Sequence, residues 1–235
     1  MALTLVGNKI CPYAQRVAFC LEEAGVGYQL RYIDPYRERP QWFIEIAPAS
    51  KVPVLQDGPL VLCESDVILE YLNDLHGGRY LPSDPAEAAL LRLQLRALAS
   101  VHGGLNRMFE AHDEPAFHDA VADVRAALGG FERYLARVVG RERAQPTLIS
   151  FSFAPVLHVL SWMERICATE ILQSALLVAE WAQELCARPS FVRTVHEDYQ
   201  AELMGFLMRN GTFVSCAARR VSQLSAAAAG PAGSR

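Results

Sequence analysis

Hydrophobic periodicity changes character once along this 235-residue chain and does not change back. Residues 2–75 alternate strand-like and helix-like stretches; everything periodic after residue 85 is helical. Ala2–Gly7 reads as a strand. Pro12–Ala24 reads as a helix, with proline early, where its missing N–H costs nothing, and with Tyr13, Val17, Cys20 and Ala24 on one face. Gly25 stops it. Tyr28–Ile33 is a second strand and Pro40–Ile46 a short helix or turn. Val52–Gln56 and Leu60–Cys63 flank Asp57-Gly58, a hairpin signal, and Ser65–Leu75 is a helix with Val67, Ile68, Tyr71, Leu72 and Leu75 on its apolar face. A strand–helix–strand unit implies a parallel pair and a hairpin an antiparallel one, so the sheet is expected to be mixed and four-stranded. Helices are expected at Pro85–Glu110, Pro115–Val139, Thr147–Ile166, Gln173–Ala187 and Pro189–Met208. The fold class is therefore an α/β domain over 1–77, a linker at 78–84, an all-α domain over 85–210, and a flexible Ala/Gly/Ser-rich tail over 211–235.

Composition excludes several alternatives. Hydrophobic residues make up 51% and charged residues 20%, too apolar for a mainly disordered chain. A net charge of −4 does not suit a nucleic-acid binder. Thr147–Met163 carries no charge and approaches the minimum for a membrane span, about 17 residues. It also holds Ser150, Ser152, Pro155, His158 and Ser161, so a buried central helix is expected and no membrane partner. The six cysteines (11, 20, 63, 167, 186, 216) show neither metal spacing nor a C-x-x-C, which fits a reducing, cytoplasmic setting. Met1-Ala2-Leu3-Thr4 lacks the basic start of a signal peptide. The histidines at 76, 102, 112, 118, 158 and 196 show no ligand spacing, and no metal is assigned.

One thiol stands apart. Cys11 falls between an apolar strand and a helix, where the first unpaired N–H groups of the helix favour a thiolate. Cys20 reads as core, and Cys63, at a strand end, also as core. Cys167, Cys186 and Cys216 read as structural or surface residues, and Trp42-Phe43 as packing.

Cys11-Pro12-Tyr13-Ala14-Gln15-Arg16, Lys51-Val52-Pro53-Val54-Leu55 and Glu64-Ser65-Asp66 together resemble the soluble glutathione transferases. Arg39-Pro40-Gln41-Trp42-Phe43 is similar to a stretch of their omega class, which also carries a cysteine in the first motif. The resemblance covers residues 1–210 and implies a thioredoxin-like first domain, with glutathione as co-substrate and no metal. It implies a cis bond before Pro53, a free Val52 backbone for the extended ligand, Glu64 for the ligand's ammonium and Ser65 for its γ-glutamyl carboxylate. Pro12 and Tyr13 would adjoin the ligand; Arg39, or Lys51, would meet its glycyl carboxylate. Ser65 is also a good helix N-cap. Cys11 would form a mixed disulfide with glutathione, and with Ala14 in place of a resolving cysteine the cycle would be monothiol. The implied activities are thiol transfer, dehydroascorbate reduction and deglutathionylation, on a small electrophilic or disulfide substrate, by a homodimer. His102, Asn106, Phe109 and Trp162 are candidates for the second-substrate pocket, walled by the helices that carry them. Ordinary conjugation, with Cys11 a bystander, and a non-catalytic binding module are the alternatives. One departure concerns Thr147-Leu148-Ile149-Ser150, where the family has an S/T-x-x-D capping box. Ser150 replaces its carboxylate, and Ser150→Asp is expected to raise the melting temperature.

Overall fold

The computed structural model describes residues 3–34, 37–47, 49–209 and 211–228. Its first part follows the expected order: β1 (Leu3–Gly7), α1 (Pro12–Ala24), β2 (Tyr28–Tyr32), α2 (Gln41–Ile46), β3 (Val54–Asp57), β4 (Leu60–Cys63) and α3 (Ser65–Leu75). The sheet order is β2-β1-β3-β4, with β1 and β2 parallel and the other pairs antiparallel. Gly25 ends α1 at φ 68, a left-handed position open to glycine at no steric cost, and its N–H and that of Val26 close the last turn onto Glu22 and Leu21.

Register brings the chemically interesting loops to one edge. Val6 pairs with Val54, and Val54 with Cys63. The β1–α1 loop, the peptide entering β3 and the turn leaving β4 therefore emerge side by side. The parallel strand β2 runs out at the same edge, toward residue 39.

The remaining chain is helical: α4 (Pro85–Glu110), α5 (Glu114–Ala144), α6 (Leu148–Cys167), a 3-10 turn at Leu172–Ser174, α7 (Leu176–Cys186), α8 (Pro189–Val192), α9 (Tyr199–Arg209) and α10 (Phe213–Ala228). One apolar core runs from β1 and α1 through α4, α5 and α6. Phe19 of α1 meets Phe151 of α6 edge-on at 5.1 Å. Fourteen of the twenty residues of α6 are buried, and among the described residues no single helix is long and apolar enough to cross a membrane. Gly104 sits where α4 crosses α5 so closely that a Cβ would collide with the Val124 side chain.

Three expectations change. The helix expected over Pro189–Met208 is two, α8 and α9, because Thr194 and His196 bond locally: Thr194 Oγ1 donates to the Phe191 carbonyl at 2.7 Å, and the Asp198 N–H donates to His196 Nδ1 at 3.0 Å. The tail expected over 211–235 is a helix over Phe213–Ala228, started by a reciprocal pair in which the Thr212 N–H donates to Ser215 Oγ and the Ser215 N–H to Thr212 Oγ1. Residues 229–235 lie outside the described residues. Finally, α6 does not lack a carboxylate at its start. Glu142, near the end of α5 and fully buried, accepts from Ser150 Oγ at 2.7 Å, from Thr147 Oγ1 at 2.9 Å and from the Thr147 N–H at 3.3 Å. Thr147 still caps α6, its Oγ1 accepting from the Ile149 N–H at 3.3 Å; the carboxylate is supplied from the preceding helix, and Ser150 is a donor to it. An aspartate at 150 would face a buried carboxylate, so the expected stabilisation by Ser150→Asp is reversed.

Candidate functional site

Cys11 occupies the N-cap of α1, with extended backbone (φ −75, ψ 114), and the Ala14 and Gln15 N–H groups donate to its carbonyl. The residue is half-buried. Burial pushes its thiol above the ordinary cysteine value; the N–H groups of Ala14 and Tyr13 and the Arg16 guanidinium pull the other way without cancelling it. The helix start therefore favours the thiolate, as expected, but is outweighed in the ligand-free protein. Cys20 is fully buried, and burial raises its thiol as well. Cys63 is exposed, against the expectation of a core position, because β4 is the outer strand of the sheet.

The Val52–Pro53 bond is cis, and Pro53 is buried while Val52 keeps partial exposure. Glu64 is exposed and takes φ 66, ψ 109, a conformation rarely adopted by a residue with a side chain; it forms the sharp turn from β4 into α3. Ser65 is not the cap of α3, as expected, but its first residue: Glu64 holds the cap position with no side-chain bond to the helix. The Ser65 hydroxyl, 4% exposed, instead accepts from the Arg16 guanidinium. Arg16 is itself buried, a role that only its place in the first motif could have signalled.

A cleft of about 640 Å³ opens beside these residues, between α1, α3, α4 and the start of α6. Tyr13, Arg16, Glu64, Ser65 and Asp66 line one end. His102 and Asn106 of α4 line the cleft with Leu148 and Ser152 of α6. The His102 ring stacks on Tyr13 at 4.4 Å, and burial, with Arg16 nearby, lowers its pKa to about 4, so the imidazole is neutral.

The other two pocket candidates are elsewhere. Phe109 packs edge-on to Phe206 at 5.3 Å, and the Trp162 indole donates to His158 Nε2 at 3.3 Å, three turns along α6 from the end that meets the cleft. Neither lines the cleft. Arg39, half-buried, donates to the Asp34 carbonyl at 2.8 Å, and Lys51 is exposed; both follow from the sheet edge described above but stand outside the cleft. On the other side of the Cys11 loop, Lys9 pairs with Asp198 at 2.8 Å and Glu202 at 3.2 Å, tying this loop to α9. Sequence periodicity could not foresee that tie across 189 residues.

Residues 5–80 match the family described as glutathione S-transferase, N-terminal domain. The chain is 33% identical over 140 residues to a pyrimidodiazepine synthase of Drosophila melanogaster, a match spanning 57% of this chain and 54% of that protein. It is 27% identical over 168 residues to glutathione S-transferase omega-1 of Sus scrofa, spanning 69% and 66%. It is 28% identical over 188 residues to glutathione S-transferase DHAR2 of Arabidopsis thaliana, spanning 78% and 83%. The matched stretch thus spans from about half to most of the length of these relatives. Among solved structures, glutathione transferase Omega 3C from Trametes versicolor superposes with a TM-score of 0.76 at 24% identity, over 89% of this chain and 91% of that one, a likeness of fold.

Proposed function

We propose that this chain, whose residues 5–80 match the N-terminal domain of the glutathione S-transferases, is a glutathione-dependent thiol transferase and reductase whose nucleophile is Cys11. The observation that carries the reading is the convergence, at one sheet edge, of a lone thiol at the start of α1, the cis Val52–Pro53 peptide and the Glu64-Ser65 turn. Val52 would offer its backbone to the ligand as a strand edge does. Glu64 would meet the ammonium and Ser65, with the start of α3, the γ-glutamyl carboxylate. Arg39 or Lys51 would take the glycyl carboxylate.

In the cycle, Cys11 as thiolate attacks the glutathionyl sulfur of a mixed disulfide; the substrate sulfur leaves as a thiolate and takes a proton from solvent. The thiolate of a further glutathione then attacks the sulfur bound to Cys11. Oxidised glutathione departs and the Cys11 thiolate is restored. Ala14 leaves no second cysteine in the motif to do this internally. Reduction of a dehydroascorbate-type acceptor takes two glutathiones: Cys11 and the first join as the mixed disulfide while the acceptor receives their two electrons and two protons, and the second releases oxidised glutathione and restores Cys11. A cytoplasmic setting and pairing of two copies belong to the same proposal. Exposed Val67 and Leu75 of α3 and Leu90 and Leu93 of α4, helices joined by the Arg92–Glu70 ion pair, form the apolar surface for the second copy.

The test is turnover of a glutathionylated peptide by wild type, Cys11→Ser and Ser65→Ala. Loss of turnover in Cys11→Ser with glutathione affinity retained, and weakened affinity in Ser65→Ala, are expected. Turnover that survives Cys11→Ser, or conjugation of an aromatic electrophile unaffected by it, overturns the reading.

A further inference from the structure

Arg16 is a buried cation without an anion. It is 8% exposed, and among the described residues no carboxylate lies within ion-pairing distance of it. Its one side-chain hydrogen bond goes to Ser65 Oγ, and its Nε is buried with no partner. Tyr13 offers only its ring, 5.5 Å from the guanidinium carbon. A guanidinium has donors to spare and keeps its proton, so the protein leaves most of its bonding capacity, and its charge, unanswered. Burying such a charge is costly, and burial pushes the Arg16 pKa down. The exposed carboxylates of Asp66 and Glu64 are felt from beyond pairing distance, and Asp66 Oδ1 already accepts from the Val67 N–H at 3.1 Å. Arg16 lines the cleft at the end where α3 begins. There the cap residue Glu64 gives the α3 N–H groups no side-chain acceptor. A buried charge and a helix start thus meet at one end of the cleft, and both call for an anion.

We propose that Arg16 is the counter-charge for the γ-glutamyl carboxylate of glutathione, acting through Ser65, and so a positioning residue for the ligand rather than a structural ion. The inference rests on the proposed function, in which Ser65 and the start of α3 receive that carboxylate. A serine hydroxyl has one proton to give. Arg16 donates to the Ser65 oxygen, which has no other side-chain partner among the described residues, so that proton is left for the carboxylate. The cation also polarises the hydroxyl that gives it, which strengthens the second bond. The chain from Arg16 through Ser65 thus brings positive charge to a place where the hydroxyl alone would be a neutral donor. It also accounts for an unpaired cation inside the fold: its burial destabilises the ligand-free protein, and the bound carboxylate offsets that.

The test is calorimetric binding of two compounds. One is S-methylglutathione, which cannot form a disulfide with Cys11. The other is its analogue with γ-aminobutyryl in place of γ-glutamyl, which lacks only that carboxylate. Wild type is expected to prefer S-methylglutathione by about tenfold to a hundredfold. Arg16→Met loses the preference. Arg16→Gln, which keeps an N–H donor without the charge, loses it too and serves should Arg16→Met not fold. Arg16→Lys keeps part of it. Without ligand, Arg16→Met melts no lower than wild type, since an unpaired charge has left the core. A preference undiminished in Arg16→Met or Arg16→Gln overturns the proposal, and assigns Arg16 a structural role where those variants melt lower. Wild type that binds both compounds alike overturns it as well. A preference lost in the variants of a protein that does not turn over glutathionylated peptide upholds Arg16 and removes the proposed thiol chemistry instead. Wild type that binds neither compound removes both.

Discussion

Ser150→Asp perturbs the junction at which α5 hands the chain to α6. In the wild type a hydroxyl donates to a fully buried carboxylate: Ser150 Oγ lies 2.7 Å from Glu142 Oε2. The substitution removes that donor and sets a second carboxylate against the first. Two unit charges about 4 Å apart repel by about 4 kcal/mol at an effective dielectric constant near 20. The lost hydrogen bond to a charged acceptor was worth about 1.5–3 kcal/mol. Acidity in the first turn of α6 returns only about 0.3–1 kcal/mol. Sharing one proton between the two carboxyls relieves part of the repulsion, at a cost that rises with pH. Burial already raises the Glu142 carboxyl above its ordinary value, so it is the readier of the two to take that proton. A net loss of about 3 kcal/mol near neutral pH lowers the melting temperature by roughly 6–12 °C in a chain of this size. Thermal unfolding followed by circular dichroism, near pH 7 and near pH 5, measures it. The deficit shrinks at the lower pH, and Glu142→Gln added to Ser150→Asp recovers most of it. A melting temperature unchanged or raised by Ser150→Asp near pH 7 refutes the interhelical cap.

The buried imidazoles and the α4–α5 crossing give two more expectations. His102 and His158 are held neutral, with pKa values lowered from 6.5 to about 4 mainly by burial, so the unfolded chain binds their protons first. Stability present above pH 6.5 is lost as pH falls toward 4, at most about 3 kcal/mol for each, and urea unfolding of His158→Gln across this window shows a shallower loss than wild type; equal slopes contradict the burial account. Gly104→Ala drives a Cβ into Val124 and costs about 1–3 kcal/mol, whereas Gly103→Ala, whose Cβ meets only the Arg107 Nη1 tip at 3.6 Å, is neutral or stabilising; equal melting temperatures for the two variants contradict the close crossing.

The strands and helices of the first domain were legible because each carries its own punctuation: Pro12 and Gly25 bracket α1, and Asp57-Gly58 turns β3 into β4. The gathering of Cys11, Pro53 and Glu64 at one edge needed the register, which local pattern foreshadows only through the order of strands. What escaped the sequence depends on partners distant along the chain or misread by composition. Ser65 looks like a cap from its neighbours, but Arg16, far along the chain, claims its hydroxyl. Ser150 looks like a defect until Glu142 is seen to fill it. The alanine-rich end looks like low complexity, yet alanine is the best helix former, and Val214, Ala217 and Ala218 bury one face of α10. Phe109 and Trp162 were placed in a pocket by the helix they sit on, and the face they present sends them into packing instead.

The central claim is that Cys11 is a monothiol nucleophile for glutathione. Intact-mass measurement after incubation with oxidised glutathione tests it most directly. The account predicts that wild type gains the mass of one glutathionyl group, mapped to the Cys11 peptide and removed by excess reduced glutathione, while Cys11→Ala gains none there. An adduct confined to exposed Cys63 or Cys216, or wild type that binds glutathione and leaves Cys11 unmodified, contradicts it.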